Sequence, residues 1–501
     1  MTEQPNHEQS TPEDEHRLIL ERKRKLEELR ELGIEPYPHL YTPTHKAKEV
    51  QIDYAHLEPS QNSGQKVNIA GRLMLRRSMG KMAFGHLQDE SGRIQIWFKA
   101  DVLGEKYDLL RLIDLGDILG IKGEAIKTKT GEVTVQVTEF TLLCKSIRPL
   151  PEKYHGLKDE EERFRRRYLD LVMNPEVKDI FIKRAKIVQS VRDTLLQKGF
   201  LEVETPTLQT IYGGANARPF ITHINAWDMK MFLSVSPELY LKRLIVGGYD
   251  KVFTICKNFR NEGVDQTHNP EFTMMECYWA YADYHDMMTL TEELYENACR
   301  IVHGGTKVMR NGIELDFKAP WPRVKMKDAI KEHAKIDVDA LSDGEMHALV
   351  HEHHLKATAQ SSRGDIILAL FEHFCEEKLV QPTHVIDHPI ESTPLCKTMR
   401  DGDKTMIERF ESFCMGKELN NAYTELNDPV LQRKLLEDQA AQLRAGADEA
   451  HPMDEDFVQA IEYGMPPTGG LGVGIDRMVI MLLGTEGIRD VILFPTMKPE
   501  K

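Results

Sequence analysis

Residues 252–278, VFTICKNFRNEGVDQTHNPEFTMMECY, constrain this chain more than any other stretch. They predict a strand, a tight polar loop and a returning strand. Phe253 and Ile255 begin an apolar alternation of period two. Asn261, Gly263, Asp265 and the Asn269-Pro270 pair are turn formers. On the return, Phe272, Met274, Glu276 and Tyr278 fall on one sheet face. An aromatic, a carboxylate and a phenol on one face do not suit an ordinary core. Arg260 and Glu262, two apart on the outgoing strand, are expected to share its face. A guanidinium fork suits carboxylate and phosphate oxygens, and a phenyl face suits a stacked heterocycle. One hairpin therefore offers anion-binding, acid-base and ring-stacking groups together.

The string FRNE followed by HNPEFTMME resembles motif 2 of class II aminoacyl-tRNA synthetases, and within them the lysine-specific members. The resemblance implies that Arg260, Glu262, His268, Asn269 and Phe272 hold ATP, with Arg260 and Glu262 catalytic, and that Glu276 and Tyr278 face lysine. It extends over nearly the whole chain. Its fold expectation is α/β: an N-terminal OB-fold β-barrel, then a catalytic domain with a mainly antiparallel sheet flanked by helices.

The chain has 501 residues, enough for several cores, and a formal charge of −15. This excludes a generally basic nucleic-acid coat but not a local RNA-binding patch. Seven cysteines occur singly with no CxxC spacing, so neither a zinc ribbon nor a disulfide framework is expected. The polar, acidic start MTEQPNHEQSTPEDE is neither a signal nor a transit peptide. No run of apolar residues is long enough to span a bilayer. A cytoplasmic protein is expected.

Taken in order, residues 1–65 read as an extension. Residues 1–13 look disordered, and Asp14 to Leu32 form a helix with Ile19, Leu26, Leu29 and Leu32 as an apolar stripe. Its basic residues, Arg17, Arg22, Lys23, Arg24, Lys25 and Arg30, make either a solvated face or an electrostatic guide for tRNA. Residues 66–148 read as five short strands with glycine-rich turns, a small barrel of OB type. By resemblance this domain reads the anticodon. Phe84 would stack the central uridine, Gln95 and Glu139 would hydrogen-bond its edge, and Arg76 and Arg77 would meet phosphate.

Residues 149–176 read as a linker ending in a basic knot at Arg165–Arg167, suited equally to salt bridges or to RNA. The catalytic domain is expected over 177–501. A long helix from Val177 to Leu196, then FLEVETPTL, resembles motif 1 (about 180–206), which implies a homodimer. Gly213 and Gly214 allow close approach to a ligand, and Gly214 is implied to close on lysine. Glu238, at a helix start, would complement the helix dipole; by resemblance it holds the substrate's α-ammonium. Ser234 and Ser236 stand where many lysyl members carry arginine and alanine. The histidines His351, His353 and His354 lack ligand spacing with a third partner and read as a solvated helix.

Residues 406–427 return to sheet periodicity, with Asn421, Tyr423 and Glu425 on one face and Glu411 and Glu418 upstream. Buried acids need cations, either Mg²⁺ or a substrate ammonium. By resemblance Glu411 and Glu418 hold Mg²⁺, with Glu411 also at ATP, while Asn421, Tyr423 and Glu425 face lysine. Asn420 replaces a glycine common in bacterial members. GGLGVGIDRMVIMLLG at 469–484 resembles motif 3, whose Arg477 lies along adenine and is implied to be catalytic. The implied reaction is lysine activation by ATP and transfer to tRNA(Lys). Its rivals are an aspartyl or asparaginyl synthetase, a ligase that lysylates protein, and a silent RNA-binding protein.

Overall fold

The structure is a computed structural model and describes residues 12–151, 159–358, 361–444 and 451–500. The disordered start expected over residues 1–13 lies outside the described residues as far as residue 11, as does 152–158 of the expected linker. The chain forms two compact units, Met1–Glu160 with Tyr168–Pro175, and Glu161–Arg167 with Glu176–Lys501.

The first unit is built on a closed five-stranded barrel: Asn62–Met79, Met82–Gln88, Arg93–Lys99, Ile118–Lys127 and Val133–Cys144. Period-two alternation sends Ile69, Ile94, Ile96, Phe98, Ile121, Val135 and Val137 into the core. The helix Pro12–Glu31 buries Leu26 and Leu29 but leaves Leu32 exposed. Part of its basic face serves the fold. Buried Arg22 donates to the carbonyls of Ser146, Arg148 and Leu115, and Lys25 pairs with Asp114 at 2.6 Å.

The second unit is built on an eight-stranded sheet. Its strand order is Arg323–Lys325, Thr383–Pro389, Met406–Cys414, Lys417–Thr424, Thr468–Gly474, Glu271–Ala280, Lys251–Phe259 and Leu201–Glu202. Only the two end pairs are parallel. Thr468–Gly474 thus lies between Lys417–Thr424 and the returning strand of the hairpin, although it is the last strand in the chain. One sheet face, with Met275, Cys277, Leu471, Val473 and Ala422, packs on the helices Pro175–Gln197, Tyr284–His303 and Ile475–Leu483. Period two sends Glu276, Tyr278, Gly470, Gly472 and Tyr423 to the other face, which is the floor of the site.

The basic knot belongs to the second unit. Arg167 is buried and donates to the carbonyls of Arg489, Ile492 and Leu493, while Arg165 donates to Lys498 O at 2.5 Å. Arg165 also ion-pairs with Glu161 and Arg166 with Glu162, so the salt bridges of the knot lie within one unit and not across domains as expected. His353 packs its ring on Phe374. Among the described residues no group of three metal-binding side chains occurs, and no helix is long and apolar enough to cross a membrane.

Candidate active site

A cavity of about 340 Å³ lies on the polar face of the large sheet. The hairpin forms as expected and pairs Asn258 with Phe272, Thr254 with Glu276 and Val252 with Tyr278; its outgoing strand ends at Phe259, so Arg260 and Glu262 lie in the loop and not on the strand as expected. Arg260 is half-buried, and its guanidinium lies 5.1 Å from the Phe272 ring centroid. Its Nε finds no hydrogen-bond partner among the described residues, so the fork is free to meet a ligand. Glu262 Oε1 accepts from Arg218 N at 3.3 Å. The loop is closed by Asp265, which accepts from the amides of Thr267 and His268 at 2.7 and 2.8 Å. Asn269 Nδ2 donates to Glu271 O at 2.6 Å, and both His268 and Asn269 line the cavity.

The strand Thr468–Gly474 adds a floor without side chains. Glu276 pairs with Gly472 and Tyr278 with Gly470. A Cβ at Gly470 would overlap Glu425 Oε1 and lie 2.7 Å from the Tyr278 ring, so this glycine is required by the protein itself. A Cβ at Gly472 would meet only ordinary contacts at 3.5 Å or more, so that space is open for a ligand. Asp476 works behind the site, bonding Thr273 N at 2.7 Å and Arg184 at 2.6 Å.

The hairpin of Met406–Cys414 and Lys417–Thr424 supplies the opposite wall. Strict alternation would set Glu418 and Asn421 on opposite faces. The register shifts after Ser412–Asn420 to Phe413–Glu418, leaving Leu419 unpaired as a bulge. That extra residue turns Glu418 back to the cavity. Arg477 donates to Glu418 Oε2 at 2.8 Å and Arg409 to Glu411 Oε1 at 2.5 Å. Burial raises the Glu411 carboxyl to about 7; Arg409 opposes this, while Glu418 and Glu376 add to it. Burial would also raise Glu418, but the Arg477 guanidinium overcomes it and holds that acid below its ordinary range. The pair is thus short of positive charge. Two carboxylates of this kind fit a hard divalent cation that takes its remaining ligands from phosphate and water.

At the far end three acids converge. Ser236 Oγ and Tyr278 Oη donate to Glu276 at 2.7 and 3.2 Å. Tyr423 Oη donates to Glu238 Oε2 at 3.0 Å. Burial, with Glu238 nearby, pushes the Glu276 carboxyl up to about 8. The Glu425 carboxyl is pushed well above its ordinary value by burial, which Lys242 only partly offsets. Gly214 has φ +85°, and a Cβ there would lie 2.8 Å from Ser236 Oγ and from Glu238 Cβ, so the loop rests directly on these acids.

Glu425 has no cation near it in sequence, which favours a substrate ammonium over a structural lysine or arginine as its partner. The structure supplies the structural one: Lys242, fully buried, ion-pairs with Glu425 and lies 2.5 Å from Glu238 Oε1. Glu425 Oε1 keeps no hydrogen-bond partner among the described residues. The only sequence signal for Lys242 was its spacing of one helical turn from Glu238. Arg409 was likewise missed, though it shares a strand face with Glu411. His451 also lines the cavity, its imidazole lowered to about 4 by burial and then by Lys242. Ser234 bonds Asn258 and Gln209 in a buried network behind the wall. Asn420 lies on the core face with neither amide atom partnered among the described residues; nothing in the structure explains it.

A groove of about 730 Å³ lies on the barrel, lined by Arg77, Phe84, His86, Gln95, Trp97, Lys99, Lys127 and Lys129 among others. Phe84 stacks on Trp97 with centroids 5.3 Å apart and planes within 8°. Gln95 is held by Glu132 at 2.6 Å and by Thr134 at 2.8 Å. Two expectations are corrected here. Glu139 does not join Phe84 and Gln95; it pairs with Lys122 at 3.4 Å. Gln95 sits opposite Thr134, and five residues of strand from there to Glu139 span roughly 16 Å. Arg76 donates to the carbonyls of Leu110 and Ile113, so its guanidinium is committed to the barrel.

Residues 159–498 match the family described as tRNA synthetases class II (D, K and N), and residues 67–143 match the OB-fold nucleic acid binding domain. The chain is 50% identical over 494 residues to a Lysine–tRNA ligase of Clostridium botulinum (strain Loch Maree / Type A3), covering 97% of each. It is 50% identical over 490 residues to the Lysine–tRNA ligase of Clostridium novyi (strain NT), covering 97% of this chain and 95% of that one. Against the Lysine–tRNA ligase of Thermoanaerobacter sp. (strain X514) the identity is 48% over 491 residues, covering 97% of each.

Proposed function

Since the chain belongs to the tRNA synthetases class II (D, K and N), we infer that it joins L-lysine to ATP, forming lysyl-adenylate and pyrophosphate, and then passes the lysyl group to the 3′ end of tRNA(Lys). The observation that carries the choice of lysine is the acid cluster. Glu238, Glu276 and Glu425 converge on one end of the cavity around a single resident ammonium, while Arg260, Phe272 and Arg477 line it too. Lysine-dependent ATP–pyrophosphate exchange tests the reading. Exchange with lysine and none with aspartate or asparagine is the expected result; the reverse preference would overturn it.

In the proposed arrangement Glu238 accepts the α-ammonium and Glu425 Oε1 the ε-ammonium, with Glu276 and Tyr278 beside them. Gly214, Asn421 and Tyr423 complete the lysine wall. Adenine lies between Phe272 and Arg477, with Glu262, His268 and Asn269 around the nucleotide. Arg260 holds the lysine carboxylate against the α-phosphate. That carboxylate is itself the nucleophile, so no side chain forms a covalent intermediate, and catalysis is positioning plus charge stabilisation. Glu411 and Glu418 would hold Mg²⁺, which when bound neutralises phosphate charge. Arg409 and Arg477 keep these two carboxylates oriented toward the cavity.

Gly470→Ala should show how tightly the lysine end is packed. The added methyl displaces Glu425 Oε1, at an overpacking cost of roughly 1–3 kcal/mol. Lysine KM should rise about tenfold or more with little change in ATP KM; equal rises in both would point to a general distortion of the sheet.

We further propose that residues 66–148 read the anticodon, with Phe84 stacking a base and Gln95 and Glu132 at its edge, and that residues 177–501 carry the chemistry. Phe84→Ala should raise tRNA KM by a stacking energy of about 1–3 kcal/mol and leave pyrophosphate exchange intact. A parallel fall in exchange by a folded variant would end this division of labour. A homodimer is proposed as well, supported by Ile182, Leu201, Leu208, Ile221 and Trp227, which all stand exposed along the segment from the long helix onward. The seven free thiols suit a reducing cytoplasm, where we place the enzyme.

A further inference from the structure

Lys242 sits behind the cavity wall that Glu238, Tyr278, Tyr423 and Glu425 form. It is fully buried, touches both acids assigned to the two ends of the substrate, and is ringed by Tyr278, Tyr423 and Phe457 at 5.9, 5.7 and 5.9 Å. A side chain merely filling a core would be apolar here, because a buried ammonium is tolerated only when paired. Once all three carboxylates are ionised, as an incoming ammonium favours, the one resident ammonium leaves two negative charges to be matched. L-Lysine brings two ammonium groups, while its carboxylate is met by Arg260. We propose that Lys242 sets the charge deficit of this pocket at two, so that the site demands a diamino acid and rejects one with a neutral side chain. This rests on the reading that Glu238 and Glu425 receive the two ammonium groups.

A buried carboxylate that lacks a cation takes up a proton instead. Lys242 is the group that opposes this at Glu425, against burial and the like charges of Glu238 and Glu276. Burial disfavours its own charge, but the two carboxylates overcome that and keep it an ammonium. The other titratable groups facing it are Tyr278 from the hairpin, Tyr423 from the neighbouring strand, His451, and Cys396, which bridges to Glu425. Without Lys242, burial and the neighbouring acids would act on Glu425 unopposed, and its neutral form would no longer distinguish an ammonium from a methyl group.

The test is Lys242→Met, compared with Lys242→Arg, in pyrophosphate exchange with L-lysine and with L-norleucine. At pH 7.5 the lysine-over-norleucine ratio of kcat/KM should fall at least about tenfold in Lys242→Met. Lys242→Arg, if it folds, should keep most of the ratio. A uniform fall in kcat for both amino acids with an unchanged ratio would make Lys242 scaffolding and overturn the proposal. If Lys242→Met does not fold, calorimetry of the unaltered protein in two buffers of different ionisation enthalpy decides. Lysine binding should then release more protons than norleucine binding, and equal release overturns the proposal. Failure of the underlying reading has a separate signature: Glu238→Gln and Glu425→Gln would leave lysine KM unchanged.

Discussion

Arg260→Ala is expected to lose pyrophosphate exchange by about 10²–10³-fold, or roughly 3–4 kcal/mol of transition-state stabilisation, with an unchanged melting temperature. The structure explains why activity and stability should separate. Burial weakens the Arg260 cation, and its guanidinium is anchored to the protein mainly through the Phe272 ring. Its Nε is partnerless among the described residues. Removing it therefore breaks little that holds the hairpin, whose strands are fixed by nine backbone pairs. What is lost is the donor fork that joins the attacking carboxylate to the α-phosphate as charge shifts between them. A variant that folds and exchanges near normally would remove Arg260 from the chemistry.

Glu425→Gln is expected to raise lysine KM by about 10²–10³-fold, the scale of roughly 3–5 kcal/mol for breaking a buried charge pair, with ATP KM within about twofold. The substitution removes the acceptor of the ε-ammonium and also one of the two partners of Lys242. Steady-state exchange across lysine concentration measures it, and an unchanged KM would refute the pocket. The pH dependence follows from Glu276. In the unfolded chain this acid ionises at its ordinary value; in the empty pocket burial and Glu238 hold its proton up to about pH 8. Its neutral form thus favours the empty folded state at low pH, a contribution lost as pH rises through about 8. An incoming ammonium selects the ionised form. Lysine affinity should be highest above pH 8 and fall by up to about tenfold per pH unit below it.

The hairpin was legible because period two needs only local order: Phe272, Glu276 and Tyr278 had to share a face once the strand formed. The barrel was legible for the same reason. The misplaced and missing residues depended on geometry that local periodicity does not carry. Glu132 immediately precedes the strand Val133–Cys144 and Glu139 lies in its middle, and only the pairing of Gln95 with Thr134 selects the first. The bulge at Leu419 inverts the face of Glu418 without any marker in the sequence apart from the nearby turn. Lys242 and Glu425 meet through tertiary packing across a long stretch of chain. A basic side chain within an amphipathic helix otherwise reads as solvent-facing, as does Arg22, which the structure buries.

The position of Thr468–Gly474 in the sheet bears on biosynthesis. This strand is central in space but last in order, so while the chain is being synthesised the strands Glu271–Ala280 and Lys417–Thr424 each wait with an unpaired edge. Both edges are apolar on one side, which is the condition for wrong pairing with another chain. The half-made protein has neither Gly470 and Gly472 nor Arg477, so it can hold neither substrate in the proposed manner. A chain stopped before Thr468 would have a split sheet prone to aggregation, not a weakened active site. Chaperone demand during synthesis should accordingly persist until the ribosome has released the final strand.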